Sequence, residues 1–374
     1  MRKKARRLNK VGKIIIIFFS LIVFVILLVG KATFDLTAHT VSEDDYSDVI
    51  REGVGTNNPQ VVEIAMLGAH DAFSQKINGR SKIDPAEDSG SILRNPVAKV
   101  LASGLFVRLA RAQLDGPATM LRLGVRYFDV RLSDVEGEWY TKHGLLSAPL
   151  SQYLDELIPF LKNNPGEFII FDMQHIYFDG LTFADLWTYL EGYEVDGFSL
   201  IDFVHFNPNT TALSNLTYDD VTEDGTAAGV VILAKTPVTI DHPYHYERGS
   251  GEGDGILSIR SVWHETSDTE TMLTGIRSEV EAISGSNAYD GIFRVNQAQK
   301  TGKYSGSDVV DTLLGWSLID LARVFNPILV SQEDFTDWLS AMPIVMVDYA
   351  TSSKQNFNQI ANDTMIEYNQ SLSM

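Results

Sequence analysis

The chain alternates short apolar runs with longer segments in which apolar residues recur every three or four positions. Several short runs are apolar almost throughout, which is typical of strands that are covered on both faces. The pattern predicts strands at residues 61–67, 125–132, 138–142, 167–173, 229–235, 256–260, 290–296 and 343–348. It predicts helices at residues 151–164, 268–284, 307–325, 332–340 and 354–368. Eight strands with helices mostly between them indicate an α/β fold, and we expect an irregular (β/α)8 TIM-type barrel.

The N-terminal segment has a different pattern. Residues 1–13 carry seven Lys or Arg and no acidic residue, and the 17 residues 14–30 contain no charge. At about 1.5 Å a residue these form roughly 26 Å of helix, near the minimum that spans a bilayer. We expect a basic cytoplasmic tail over 1–13, a single transmembrane signal anchor over 14–31, a linker over 32–60 and the barrel over 61–374. The alternative is a cleaved signal and a secreted body. Both place the barrel outside the cytoplasm, and the first holds it at the cell membrane.

Charge and cysteine content exclude several classes of function. Residues 32–374 carry 22 basic and 49 acidic side chains, a formal charge of −27, and such a surface repels nucleic acid. The chain has no cysteine, which excludes disulfides, thiolate metal sites and a cysteine nucleophile.

Polar side chains recur at the carboxyl ends of the predicted strands, where a β/α barrel places its chemistry. In chain order they are His70, Asp71, Asp129, Arg131, His143, Gln174, Lys235, Trp263, Arg294 and Asp348. A solvent-exposed rim also collects polar residues, but two histidines, an arginine and several aspartates are more than a rim requires. The set predicts an active site.

Two histidines and an arginine suit the cleavage of a phosphodiester by an internal hydroxyl group. One imidazole removes the proton of the attacking hydroxyl, and the other protonates the leaving alkoxide. The guanidinium stabilises the charge on the phosphoryl oxygens, and a carboxylate behind the first histidine fixes its tautomer. This chemistry needs no covalent nucleophile, and the chain has no G-x-S-x-G motif of a serine hydrolase.

The motifs "MLGAHDAF", "GVRYFDVRL", "TKHGLL" and "PGEFIIFDMQ" resemble, in this order, the X-domain of phosphatidylinositol-specific phospholipase C in its bacterial form. The resemblance is good over residues 60 to 175 and returns at "IVMVDYA". It implies a β/α barrel that cleaves the lipid to diacylglycerol and a cyclic inositol phosphate.

The resemblance also implies roles for individual residues. His70 resembles the general base that activates the inositol 2-hydroxyl, His143 resembles the general acid for the leaving group, and Asp348 resembles the carboxylate that orients the base. The remaining polar positions of the family's site correspond to Asp71, Asp129 and Arg131.

The identity of residue 131 indicates whether the site needs a metal ion. Calcium-dependent members of the family carry an acidic residue at this position, whereas bacterial members carry an arginine, and a guanidinium competes with Ca²⁺ for the same space. We therefore expect no metal and no cofactor. Gln174 departs from the family, which has a basic residue there in the bacterial enzymes. Lys235, Trp263 and Arg294 are further candidates for substrate contacts.

Together these features predict an exported, monomeric phosphodiesterase that acts on an inositol phospholipid or a related glycosyl phospholipid and is held at the membrane by its N-terminal helix. Two alternatives stay open. One is a phosphodiesterase for another glycerophosphodiester or an envelope polymer. The other is a catalytically silent barrel that binds lipid or sugar.

Overall fold

Strands and helices alternate through the parts of the chain that the computed structural model describes, which are residues 10–85, 107–235, 244–249, 258–302 and 317–372, with only the backbone for 25–38. The strands are β1 Met66–Ala69, β2 Val125–Val135, β3 Glu138–His143, β4 Leu145–Pro149, β5 Phe168–Tyr177, β6 Gly229–Ala234, β7 His245–Glu247, β8 Ile259–Val262, β9 Phe293–Gln297 and β10 Ile344–Val347. The helices are α1 Lys10–Ala38, α2 Val49–Val54, α3 Pro117–Arg122, α4 Ser151–Asn163, α5 Phe183–Gly192, α6 Tyr218–Thr222, α7 Thr269–Ser284, α8 Leu318–Val330, α9 Phe335–Ala341 and α10 Phe357–Ser371.

Eight parallel strands form one curled sheet in the order β7-β6-β5-β2-β1-β10-β9-β8. The first strand therefore lies beside the last, and the carboxyl ends of all eight strands lie at one rim. Strands β3 and β4 extend this sheet as an antiparallel hairpin next to β2. Among the described residues β7 and β8 do not pair, so the predicted α/β barrel is confirmed as an incomplete, curled barrel.

The strand predictions differ from the structure mainly at short elements. Residues 61–63 form a 3-10 helix, and β1 begins only at Met66. Strands β4 and β7 and helix α5 were not predicted. Helix α8 covers the end of the predicted helix 307–325, of which residues 307–316 lie outside the described residues.

Alternate residues of the strands divide the core into two layers. Tyr127, Leu233 and Met346 belong to the cluster inside the barrel. Their neighbours Phe128 and Val345 belong to the outer cluster, which packs against the helices. This is the period-two alternation of strands in a barrel.

Glycine is required at position 68 on β1. A Cβ atom there would lie 2.9 Å from Cδ1 of Tyr127 and 3.3 Å from Cα of Met346, inside contact distance. Gly68 therefore allows β1 to pack closely between β2 and β10 just before the strand end that carries His70.

The N-terminal residues contribute two helices. Helix α1 contains residues 14–31, the predicted anchor. Among the described residues no helix combines the length and apolarity that crossing a membrane requires, so the predicted anchor has no support from the structure. Helix α2 lies within the predicted linker and buries Val49, Ile50 and Val54 against the barrel.

A buried ion pair holds α2 to the barrel. Glu167, at the start of β5, accepts hydrogen bonds from the backbone amides of Ile50 (3.3 Å) and Arg51 (2.9 Å) and from Nε of Arg126 (2.7 Å). Arg126 also donates to backbone carbonyls, and both side chains are fully buried. Every charged group of the pair is thus hydrogen-bonded, as a buried charge requires.

Candidate active site

His70 follows β1 directly and is fixed at both its backbone and its ring. Its amide donates to the carbonyl oxygen of Val347 on β10 (3.0 Å), and its Nδ1 lies 2.8 Å from Oδ1 of Asp348. The amide group of Gln113 donates to the carbonyl oxygens of both His70 and Val347 (3.0 Å each). The predicted contact between His70 and Asp348 is therefore present, and it leaves Nε2 of His70 directed toward Asp71 and Arg131.

Asp71 is the centre of the charged cluster. Its Oδ2 lies 3.2 Å from Nε2 of His70 and 3.0 Å from Nδ1 of His143, and its Oδ1 lies 2.7 Å from Nε of Arg131. The Asp71 backbone has the left-handed conformation (φ +42°), which is uncommon for a residue other than glycine. Its amide donates to Oδ2 of Asp129 (3.2 Å). This hydrogen bond from a neighbouring site residue stabilises the strained backbone at Asp71.

Asp129 and Arg131 point into the barrel from β2, two residues apart. The pairing of β2 with β5 shifts register between Val130 and Arg131, just before the arginine. The Nη2 atom of Arg131 lies 3.3 Å from Nε2 of His70 and 3.8 Å from Oδ2 of Asp129. The guanidinium thus lies between the base and two carboxylates.

His143 ends β3 and faces His70 across the site. The ring centroids are 5.9 Å apart and the ring planes are inclined by 75°. Nδ1 of His143 lies 2.9 Å from the carbonyl oxygen of Ala110 and 3.0 Å from Oδ2 of Asp71. Both neighbours are acceptors, which favours the proton on Nδ1 and leaves Nε2 for a ligand.

The buried charges shift one another's pKa values. Burial acts to lower the pKa of His70, but the carboxylates of Asp71 and Asp348 outweigh it and raise the pKa to about 9. Burial acts to raise the pKa of Asp71, but Arg131 and His143 hold it well below its usual value. Burial raises the pKa of Asp348. At neutral pH His70 therefore carries a proton until a ligand or a higher pH removes it.

A cavity of about 410 Å³ opens beside this cluster. His70, Arg131 and His143 line it, and so do the predicted substrate-binding residues Gln174, Lys235 and Trp263. Trp263 is 46% exposed and its Nε1 donates to Oγ1 of Thr301 (2.8 Å). The structure therefore brings these predicted residues to one site.

Arg294 lies apart from that site. Phe293 and Val295 face the barrel interior, so the alternation along β9 turns Arg294 outward. Its Nη2 atom donates to the carbonyl oxygen of Val62, which precedes β1, and burial lowers its pKa. A position near a strand end was not sufficient to predict which face the side chain occupies.

Sequence analysis missed a second buried cluster, of which Arg248 lines the cavity. Nε of Arg248, after β7, donates to Oδ1 of Asp172 on β5 (2.7 Å), and the hydroxyl of Tyr127 donates to Oδ2 of Asp172 (2.5 Å). Burial raises the pKa of Asp172, although Arg248 opposes the shift. Arg248 begins a glycine-rich segment that resembles a loop, and β7 is only three residues long, so no strand pattern pointed to it.

Three side chains of the charged cluster have the spacing of a metal-ligand set. Within the described ranges His70, Asp71 and Asp129 offer ligand atoms that lie within 4.8 Å of one another. The guanidinium of Arg131, however, already faces both carboxylates, with Nε 2.7 Å from Asp71. A metal ion on these oxygens would have to displace that cation, so the donor set fits the arginine better than a metal.

Known proteins share parts of this sequence and most of its fold. PI-PLC X domain-containing protein 3 of Bos taurus is 31% identical over 121 residues, which are 31% of this chain and 38% of that protein. The variant-surface-glycoprotein phospholipase C of Trypanosoma brucei brucei is 32% identical over 124 residues, 31% of this chain and 35% of that protein. The chain thus spans little more than a third of these curated relatives. No protein-family model matches it.

Solved structures extend the likeness beyond the matched segment. Phosphatidylinositol-specific phospholipase C from Staphylococcus aureus has a TM-score of 0.55 at 15% identity, with 87% of this chain and 99% of that chain covered. The enzyme of the same name from Listeria monocytogenes has a TM-score of 0.52 at 15% identity, with 87% and 98% covered. Over about a third of its length the chain is thus similar in sequence to PI-PLC X domain-containing proteins, and its fold is similar to that of bacterial phosphatidylinositol-specific phospholipase C.

Proposed function

We propose that the chain is a phosphodiesterase of the phospholipase C type, which cleaves the head-group phosphodiester of an inositol phospholipid or a related glycosyl phospholipid. The observation that carries the proposal is the pair of histidines on one cavity, 5.9 Å apart, with Arg131 and Asp71 in contact with them. The similar proteins from Trypanosoma brucei brucei and Listeria monocytogenes are named phospholipases C, which supports the same chemistry for this chain.

The reaction follows from the positions of the two rings. Nε2 of His70 takes the proton of a sugar hydroxyl next to the phosphodiester, and the hydroxyl oxygen forms a bond to phosphorus. The bond from phosphorus to the glycerol oxygen breaks, and His143, acting as an imidazolium whose Nδ1 proton stays with Ala110 and Asp71, gives its Nε2 proton to that oxygen. The products are diacylglycerol and a cyclic phosphodiester, and no water is consumed.

The neighbouring charges support each step. Asp348 accepts the Nδ1 proton of His70 and so directs Nε2 toward the substrate. Arg131 lies 3.3 Å from Nε2 of His70 and supplies positive charge where the phosphoryl oxygens gain negative charge. Asp71 contacts both rings and stabilises a protonated histidine on either side of the reaction.

Two glutamines are suited to bind the hydroxyl groups of a sugar. Within the described residues the Oε1 atoms of Gln174 and Gln299 are buried and have no hydrogen-bond partner, although both residues line the cavity. Nε2 of Gln299 donates to Oε1 of Gln297 (2.8 Å), and Nε2 of Gln297 donates to Oγ of Ser261 (2.7 Å), which orients the Gln299 oxygen. A hydroxyl donor on the head group would satisfy both oxygens.

The test measures the release of diacylglycerol and cyclic inositol phosphate after the full chain is mixed with phosphatidylinositol in micelles of an uncharged detergent. We expect turnover by the wild type, and a loss of roughly 10³-fold or more in His70→Asn, because the base is removed. Phosphatidylcholine, whose head group has no hydroxyl next to the phosphodiester, should not react.

The two other functions give different outcomes in the same assay. Linear products from a glycerophosphodiester, formed with water, would indicate a hydrolase of that class. Binding of phosphatidylinositol without turnover, equal in wild type and His70→Asn, would indicate a silent barrel and would contradict the proposed function.

The proposal includes a location and an oligomeric state. The sequence predicts that α1 holds a monomeric barrel at the outer face of the cell membrane. Large apolar side chains of α1 are exposed, among them Ile14 (65%) and Ile17 (68%), which supports a lipid contact for this segment. Protease digestion of intact cells tests it, because a barrel outside the cytoplasm is cleaved without cell lysis.

A further inference from the structure

One short segment, residues 110–113, contacts the supports of both histidines of the site. The carbonyl oxygen of Ala110 lies 2.9 Å from Nδ1 of His143. Three residues further along the chain, the side-chain amide of Gln113 donates to the carbonyl oxygen of His70 (3.0 Å). The segment lies outside the motifs that carry the family resemblance. The relative position of the two rings is therefore linked to residues that those motifs do not include.

Gln113 joins the ends of the two strands that lead to His70 and Asp348. Its Nε2 donates to the carbonyl oxygens of His70 and Val347 (3.0 Å each), and its Oε1 accepts a hydrogen bond from the amide of Ala350 (3.1 Å). Val347 ends β10, and Ala350 follows Asp348 by two residues. One side chain therefore fixes the backbone at His70 and on both sides of Asp348.

The backbone of the segment is itself bound to the site. Oγ of Ser74 accepts hydrogen bonds from the amides of Ala112 (3.0 Å) and Gln113 (3.1 Å). The amide of Ser74 in turn donates to the carbonyl oxygen of Asp71 (3.1 Å). The carbonyl oxygen of Ala112 accepts a hydrogen bond from the amide of Tyr349 (2.8 Å). The segment is thus bonded to the turn that begins at Asp71 and to the chain just after β10.

The burial of Gln113 determines how it can act. The residue is 1% exposed, so its side chain has no access to a substrate in the cavity. A buried amide is unfavourable unless its polar atoms are paired, and here both N–H groups and the oxygen have partners. Every partner is a backbone group beside His70 or Asp348. Gln113 can therefore affect the chemistry only through the residues that it holds.

Asn369 on α10 makes a comparable contact at the other end of β1. Its Nδ2 donates to the carbonyl oxygen of Ala65 (2.9 Å), and its Oδ1 accepts a hydrogen bond from the amide of the same residue (2.7 Å). Asn369 is fully buried. Ala65 precedes β1, at the end opposite to His70. The two amides thus hold the same strand, and Gln113 holds the end next to the site.

We propose that Gln113 is a positioning residue, which holds His70 against Asp348 and, through the segment 110–113, holds His143 at the separation that the two proton transfers require. The inference rests on the proposed function for the reaction itself. Such a role predicts a loss of kcat, because a displacement of about 1 Å in a reacting group can cost roughly 10²-fold in rate. The binding of substrate should change little, since Gln113 does not touch it.

Gln113→Met and Asn369→Leu form a matched pair, since each replaces a buried amide by an apolar side chain of similar size. Both should lower the free energy of unfolding in urea. With phosphatidylinositol, we expect kcat to fall by roughly tenfold to a hundredfold in Gln113→Met with little change in KM. Asn369→Leu should stay within about twofold of the wild type. Equal losses of kcat in the two variants would overturn the proposal.

A spectroscopic test needs no turnover. The Nδ1 proton of His70, which is hydrogen-bonded to Asp348, should give a proton resonance far downfield in the NMR spectrum, identified by its loss in Asp348→Asn. Gln113→Met should shift or abolish this resonance because the contact is no longer held, and Asn369→Leu should retain it. An unchanged resonance in Gln113→Met would also overturn the proposal.

Ser74→Ala provides a second route if Gln113→Met does not fold. It removes one hydroxyl group, the acceptor of the amides of Ala112 and Gln113, and leaves the side chain of Gln113 in place. We expect the same direction of change in kcat and in the resonance of His70, with a smaller size. If neither quantity changes in Ser74→Ala, the segment does not position the histidines.

The two measurements separate this proposal from the proposed function. If the wild type cleaves no lipid, but the resonance is lost in Gln113→Met and retained in Asn369→Leu, the positioning role is supported and the phospholipase function is contradicted. If the wild type cleaves phosphatidylinositol, and both variants have equal kcat and retain the resonance, the positioning role is contradicted and the function is supported.

Discussion

Oδ1 of Asp348 lies 2.8 Å from Nδ1 of His70, although 278 residues separate the two in the chain. The contact joins the ends of the last and the first strand of the barrel, favours one tautomer of the candidate base and helps to raise its pKa. Asp71 and Asp348 raise that pKa to about 9. The base is active only when deprotonated and the acid only when protonated, so the kcat/KM profile should be bell-shaped, with one of its two limbs set by the raised pKa of His70.

Asp348→Asn should change both the rate and the pH profile. The loss of a carboxylate lowers the pKa of His70, so the limb of the kcat/KM profile that His70 sets should move to lower pH. The rate on the plateau should fall by roughly 10²- to 10⁴-fold, because the imidazole loses its orienting partner. Asp337→Asn, at an exposed position of α9, is the control and should leave the profile unchanged. A limb that moves to higher pH would contradict the assignment of His70 as the base.

His143→Ala should be sensitive to the leaving group. Diacylglycerol leaves as a poor alkoxide that needs a proton, whereas a nitrophenolate leaves without one. The variant should lose roughly 10²- to 10⁴-fold on phosphatidylinositol and much less on a nitrophenyl inositol phosphate. Parallel assays of wild type and variant on both substrates measure this difference. An equal loss on the two substrates would show that His143 does not act as the acid.

Arg131→Lys tests whether the reaction needs a guanidinium group, which presents several N–H donors at once, or only a positive charge. A lysine keeps the charge but cannot contact Asp71 and His70 simultaneously as Nε and Nη2 of Arg131 do. We expect kcat to fall by roughly 10²-fold with a smaller change in KM. The control is Arg277→Lys on α7, whose guanidinium pairs with Asp334 outside the cavity.

The same arginine predicts the response to chelators. Because its guanidinium already faces Asp71 and Asp129, EDTA should leave the activity of the wild type unchanged. Dialysis against EDTA followed by an assay with and without added Ca²⁺ measures this. Loss of activity that Ca²⁺ restores would indicate that His70, Asp71 and Asp129 hold a metal during turnover.

Arg126→Met should affect stability and leave the chemistry intact. The substitution leaves the buried carboxylate of Glu167 without its partner, which costs about 3–5 kcal/mol in the free energy of unfolding. Urea titration measures that loss, and the kcat of the folded fraction should stay within about twofold of the wild type, since Arg126 does not line the cavity. Arg277→Met, which breaks the exposed pair with Asp334, should cost only about 0–1 kcal/mol.

The long central strands and most of the residues of the charged cluster could be predicted from the sequence. Runs such as residues 229–234 are apolar throughout, which is typical of a strand that is covered on both faces. His70 and His143 were predicted because they end such segments within an ordered set of motifs.

Residues that depend on sheet register or on very short strands were not predictable. Arg294 is near a strand end, but the sequence does not show which face of β9 points inward. Arg248 follows a strand of three residues, too short for any periodic pattern. The contact of Asp71 with both histidines depends on a left-handed backbone that no local rule assigns to aspartate in this motif.

The pairing of β1 with β10 has a consequence for the synthesis of the protein. Met66 pairs with Ile344 and Ala69 with Val347, so the strand that precedes His70 is completed by a segment that is synthesised long after it. Contacts between such distant segments form late, because closure of a long loop precedes them. A nascent or truncated chain that ends before residue 344 has His70 without Asp348. The proposed lipid cleavage would therefore begin only after β10 has joined β1 and brought Asp348 to His70.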